Sequence, residues 1–128
     1  MAGERPEGFV PGGHPIDAYG AGGFSFAGMS HRGSILALPS GIRAWDVSDP
    51  SQINAESLAA IFDEPEGAIE HLLVGTGVNF VPLAPALRKA LRARGIVAEP
   101  MATGAAARTY NILLEEKRRV AAALVAAA

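Results

Sequence analysis

No cysteine occurs in the 128 residues. Its absence excludes disulfides, thiolate catalysis and cysteine-ligated zinc, and makes a reducing compartment compatible with the chain. Long apolar runs are also missing. The most apolar stretch, residues 120–128, is nine residues long, whereas a membrane-spanning helix needs roughly 20. Neither sign of charge dominates. Eleven Lys and Arg stand against thirteen Asp and Glu, a formal net charge of -2, so the overall field does not concentrate nucleic acid or anionic membrane around the protein. No nucleic-acid partner and no transmembrane segment are expected. No internal repeat is visible, and the chain length leaves little room for a second domain.

The opening fifteen residues, MAGERPEGFVPGGHP, hold four glycines and three prolines. They lack the apolar centre of a signal peptide and the arginine-rich pattern of a transit peptide. They are read as a flexible tail over 1–15, with a single domain over 16–128 and a cytoplasmic location.

With 49% hydrophobic residues there is enough apolar side chain for a real core. Phe24 and Phe26 alternate with Ser25 and Ala27, and a second apolar run covers 35–38; together they predict a hairpin. After the turn at Pro39, Ser40 and Gly41, Ile42 and Ala44 fall on one face and Arg43 and Trp45 on the other. The pattern then changes. Asn54 is suited to cap a short amphipathic helix bearing Leu58, Ile61 and Phe62 at helical spacing. The stretch IEHLLVG predicts a buried strand. Pro85 opens a helix with Leu87, Ala90 and Leu91 inward and Gly95 at its carboxyl end. A strand at 96–101 follows, then a helix from Thr103 with Ala106, Tyr110, Leu113 and Leu114 on one side. RRVAAALV closes the chain as a strand. Strands alternating with helices in this half predict crossovers and at least one parallel pair, hence an α/β core to which the amino-terminal hairpins are added.

In such sheets ligands favour the crevice beyond the carboxyl ends of parallel strands. Two stretches fall there. The first, Gly75-Thr76-Gly77, has no third glycine for a dinucleotide fingerprint and no Gly-Lys-Ser/Thr for a phosphate loop. It reads as a strand exit that shapes one lip of a crevice. The second runs from Thr103 and Gly104 through Arg108, Thr109, Tyr110 and Asn111. Thr103 is placed to cap the helix, and the free N–H groups there suit an anion. Arg108 lies near the positive end of that helix, where a cation is disfavoured, so it calls for a compensating partner. That partner is a structural acid such as Asp46 or Glu70, or else a bound carboxylate or phosphate. Arg108, Asn111 and Glu115 share one polar stripe.

Elsewhere the chemistry is thin. His14, His31 and His71 fit no metal spacing, and neighbours Glu70 and His71 point to opposite faces of a strand. Arg88, Lys89, Arg92 and Arg94 are accounted for by a helix's negative end and by solvent. No nucleophile elbow or carboxylate pair is marked, so the sequence assigns no catalytic residue, and no metal or cofactor is expected.

The stretches GGFSFAG, HRGSILALPSGIRAW, LLVGTG, RGIVAEPM and TGAAARTYNILLEEKRRVAAAL, in this order over about 16–126, resemble domain-of-unknown-function family four-nine-eight. That family includes archaeal and bacterial proteins, an adipogenesis-associated human protein and a mitochondrial assembly factor of respiratory complex I. The resemblance implies a single three-layer α/β domain, a mixed central sheet with flanking helices and a small additional β-hairpin layer. It supplies no catalytic residues. Without a mitochondrial targeting segment the chain looks like a bacterial member. Two functions follow: a non-enzymatic accessory protein that assists assembly of complex I or another membrane complex, with protein subunits as partners; or a small-ligand or anion-binding protein, enzyme included, that uses the crevice between Gly75-Thr76-Gly77 and Thr103–Arg108. Edge strands permit a homodimer as readily as a monomer.

Overall fold

The computed structural model describes residues 8–127. Nine strands form two sheets: β1 (Gly8–Pro11), β2 (Ala18–Gly20), β3 (Gly23–Phe26), β4 (Met29–Arg32), β5 (Ile35–Leu38), β6 (Gly41–Ala44), β7 (His71–Gly75), β8 (Val97–Met101) and β9 (Val120–Leu124). The helices are α1 (Ala59–Asp63), α2 (Pro85–Ala93) and α3 (Thr103–Glu115). The larger sheet has the order β1-β6-β5-β9-β7-β8, and β2-β3-β4 form a separate three-stranded sheet. β7 pairs in parallel with both β8 and β9, while β5 joins β9 and β6 antiparallel. The central sheet is therefore mixed, and both parallel pairs arise from the half of the chain where strands and helices alternate.

Both faces of the large sheet are covered, which is why its strands read as continuous apolar runs. Alternate residues go to opposite sides. Leu36, Leu38, Leu72, Val74, Ala121 and Ala123 pack with Leu58 and Ile61 of the α1 region and with Leu87 and Leu91 of α2. Ile35, Ala37, Leu73, Ala122 and Leu124 pack with Ala106, Ala107 and Tyr110 of α3 and with Phe24 and Phe26 of the small sheet. Three layers result. The crossover β7-α2-β8 steps outward and β8-α3-β9 steps back past β7. Two crossovers of one hand moving in opposite directions must place their helices on opposite faces, as α2 and α3 are placed.

Four expectations are corrected. Of the tail expected over 1–15, residues 1–7 lie outside the described residues, but Gly8–Pro11 form an edge strand on β6. Phe9 anchors it, its ring 5.9 Å from Phe26 and 4.7 Å from His31. The hairpin partner of β3 is β4, not the apolar run at 35–38. Ala27 and Gly28 both take positive φ, +50° and +79°, the geometry of a two-residue hairpin turn, and β5 then crosses to the large sheet. Asn54 does not cap α1 directly. Its Oδ1 accepts from the Ser57 N–H at 2.8 Å and closes a turn that precedes the helix, while Leu58 occupies the cap position without a side-chain bond. Nor does Thr103 cap α3: it is the first helical residue, behind Ala102. By contrast α2 begins at Pro85, and Gly95 follows its end with φ +79°, the left-handed terminus that glycine favours.

Candidate functional site

The carboxyl ends of β7 and β8 are where the chain leaves a parallel pair toward opposite faces, and the sequence candidates gather there. Gly75 ends β7 and Thr103 opens α3 immediately beyond β8. Among the described residues, the two loops are joined by the chain's own polar groups. The Thr76 N–H donates to the Met101 carbonyl at 2.9 Å, and the Thr103 N–H donates to the Gly77 carbonyl at 2.8 Å. The buried Thr103 hydroxyl accepts from the Gly77 N–H at 2.8 Å and donates to the Val125 carbonyl at 2.7 Å. Val125 in turn donates its N–H to the Gly75 carbonyl at 2.9 Å. One hydroxyl thus ties the exits of β7 and β9 to the first turn of α3.

Glycine is required at position 75 for space. A Cβ there would lie 2.9 Å from both Cα and Oγ1 of Thr103 and 3.0 Å from a Leu124 methyl. At Gly77 the requirement is conformational, with φ +101° in the region that L side chains rarely adopt. The Thr76 hydroxyl donates to the Asn79 carbonyl at 2.6 Å and accepts from the Val81 N–H at 3.1 Å. These bonds curl 76–81 into a braced loop that turns Val78 and Phe80 outward, 66% and 59% exposed.

The remaining candidates on α3 hold other parts of the chain. Arg108 donates to the Tyr19 hydroxyl at 2.7 Å, so its partner is a phenol from β2 and neither Asp46 nor Glu70. Glu70 instead faces Arg119 at 3.6 Å and Arg118 at 3.9 Å. Tyr19 also covers Gly104, where an added Cβ would meet its hydroxyl at 2.6 Å. The Thr109 hydroxyl lies 3.7 Å from the Met101 sulfur. Asn111 grips the backbone of Ile16 twice, its Oδ1 accepting from the Ile16 N–H and its Nδ2 donating to the Ile16 carbonyl, each at 2.8 Å. Of the polar stripe Arg108, Asn111 and Glu115, it is thus the half-buried member, turned onto the chain rather than to solvent. The Tyr110 hydroxyl donates to the His14 carbonyl at 3.1 Å. Burial pushes its pKa up to about 12.

Apart from Thr109, whose hydroxyl faces the Met101 sulfur, the residues named from sequence therefore split into two groups. Gly75, Thr76, Gly77 and Thr103 meet at the strand ends. Gly104, Arg108, Tyr110 and Asn111 fasten the amino-terminal segment and the small sheet onto α3. Concave spaces open elsewhere: about 350 Å³ beside Tyr19, Ser25, Ser30 and Arg32 on the small sheet, and about 840 Å³ beside Gly13, Leu114 and Arg118 at the far end of α3. The histidines have separate partners: His14 the Pro11 carbonyl, His31 the Phe9 ring, and His71 the Arg118 guanidinium at 3.1 Å. Sequence reasoning passed over the outward Val78 and Phe80; the signal was an apolar stretch, VNFVPL, with no period that would bury it.

A three-layer α/β domain whose mixed sheet is closed at its parallel ends by internal hydrogen bonds defines the class. The chain belongs to the family described as protein of unknown function (DUF498/DUF598), which matches residues 16–125. A curated relative is an uncharacterised protein of Rhodobacter capsulatus, 41% identical over 94% of this chain and 90% of that one. NADH dehydrogenase [ubiquinone] 1 alpha subcomplex assembly factor 3 of Xenopus tropicalis is 36% identical over 86% of this chain. The match spans only 60% of that factor's own length. Among solved structures, one described as an outer membrane protein of Bartonella henselae is 48% identical, covers 94% of this chain and 100% of its own, and superposes with a TM-score of 0.89. Among the described residues of this chain, no helix is long and apolar enough to cross a membrane.

Proposed function

We propose that the protein is a non-enzymatic accessory factor that assists assembly of respiratory complex I or another membrane complex, acting from the cytoplasmic side on its protein subunits. The observation that carries this reading is the 36% identity with a complex I assembly factor over 86% of the chain. The similarity runs through all three layers and is not confined to one motif. The site adds support, because the polar atoms at the strand ends are engaged within the protein. A small ligand between the two loops would have to displace both Thr103 hydrogen bonds, so the assembly reading is preferred to a ligand crevice. The test is affinity purification of the tagged protein from its own cells, with an unrelated tagged domain as control. Enrichment of complex I subunits or of subunits of one other membrane complex supports the proposal; recovery of neither counts against it.

A further inference from the structure

The overall charge of -2 conceals a local excess of the opposite sign. Between His71 and Ala98 the chain has no Asp or Glu, yet it carries four of the eleven basic residues. Arg94 is engaged, donating to the carbonyl of Phe62 at 2.9 Å. Arg88, Lys89 and Arg92 are not. All three are exposed, and among the described residues the ion pairs are those of Glu70 with His71, Arg118 and Arg119. At about 100° per residue these side chains fall within an arc of about 100° on α2, turned away from buried Leu87 and Leu91. The helix's negative end does not account for them, because only Arg92 lies in the last turn and the first turn holds no acid. Arg88, at the end of the first turn, runs against the helix dipole, and among the described residues no acid compensates it.

Directly ahead of this basic face stands the braced loop that exposes Val78 and Phe80. Two large exposed apolar side chains in the loop that leads within a few residues into a helix with an exposed basic face suit a plane that is negatively charged at its surface and apolar beneath. We propose that α2 and the 76–81 loop dock on an anionic lipid bilayer, with Phe80 and Val78 entering the interface and Arg88, Lys89 and Arg92 meeting lipid phosphates. A nucleic acid would use the charges and leave the apolar pair in water. An acidic protein surface is less favoured, because the basic side chains hold no fixed hydrogen-bond geometry that would define a docking register. The surface is independent of the assembly reading and stands if that reading fails.

The test is co-sedimentation of the full chain with vesicles of equal parts phosphatidylglycerol and phosphatidylcholine, against pure phosphatidylcholine, at low and raised salt. The wild type should bind the anionic vesicles and release them as salt rises. Each basic residue at such a surface is worth about fivefold in affinity, so Arg88→Gln, Lys89→Gln and Arg92→Gln combined should weaken binding roughly a hundredfold. Val78→Ser with Phe80→Ser should weaken it separately at low salt. All five positions are exposed, so circular dichroism of both variants should match the parent. Equal retention on both vesicle types, or binding that neither variant lowers, overturns the proposal. So does binding to a DNA duplex or a purified acidic protein with no binding to vesicles.

Discussion

Replacing Thr103 by valine probes the junction of β7, β9 and α3 with almost no change of shape. Valine puts a methyl where the hydroxyl stood, so no cavity opens. Both hydrogen bonds are lost. The Gly77 N–H and the Val125 carbonyl lose their partner at 2.8 and 2.7 Å, in a place where Thr103 and Gly77 are buried. Leaving a buried polar group unpaired costs about 1–3 kcal/mol. The two losses share one hydroxyl and are not independent, so the expected total is about 2–4 kcal/mol. For a domain of this size each kcal/mol moves Tm by roughly 3–6 °C, which places the Thr103→Val melting point roughly 6–24 °C below the parent. Urea unfolding followed by fluorescence suits the measurement, because the single Trp45 is buried and its indole N–H donates to the Ser57 carbonyl. Thr103→Ser is the control: it keeps the hydroxyl, loses one methyl and should cost about 1 kcal/mol. A valine variant within about 0.5 kcal/mol of the parent, or serine and valine equally destabilised, would refute the hydroxyl's structural role.

Other substitutions test the neighbouring contacts. Gly75→Ala should destabilise by about 1–3 kcal/mol in calorimetry, because its Cβ meets Thr103 backbone that cannot rotate away; Gly104→Ala should cost under about 1 kcal/mol, since it displaces only the exposed Tyr19 ring. Asn111→Ala removes both bonds to Ile16 and should cost about 2 kcal/mol, with hydrogen exchange accelerating first at the amides of 12–16. Tyr110 holds its proton in the folded state up to about pH 12, whereas the unfolded chain releases it near 10. Its stabilising contribution is therefore complete below about pH 10 and is lost as pH rises toward 12, by about 2–3 kcal/mol in all. The stability difference between parent and Tyr110→Phe should shift by that amount over this window; a constant difference would contradict the assignment.

Much of the second half of the fold is legible because local and tertiary demands agree. LLVG and VAAAL are uninterrupted apolar runs because helices or sheet cover both faces of β7 and β9. Pro85 and Gly95 bracket α2 because each suits its end of a helix. The first half is harder. MSHR shows no apolar alternation, and what makes it a strand is the register Phe24↔His31 and Ser25↔Ser30 across the Ala27–Gly28 turn. Gly8–Pro11 looks like linker by composition, yet it is fixed by β6 and by a Phe9 contact with a ring distant in sequence. At the strand ends, the convergence of Gly75-Thr76-Gly77 with Thr103 follows from parallel topology alone. What closes the space between them does not. The bonds of Thr103 reach across 26 and 22 residues, and the Tyr19 partner of Arg108 lies 89 residues away. No local pattern encodes such separations.

The assembly role is tested most directly by deleting the gene in a strain that encodes complex I, then quantifying the assembled complex by native electrophoresis with an NADH-dehydrogenase activity stain. Deletion should cause loss of the full-size band and accumulation of smaller intermediates, and the wild-type gene should restore the complex. An unchanged amount of fully assembled, active complex I would contradict a role in its assembly.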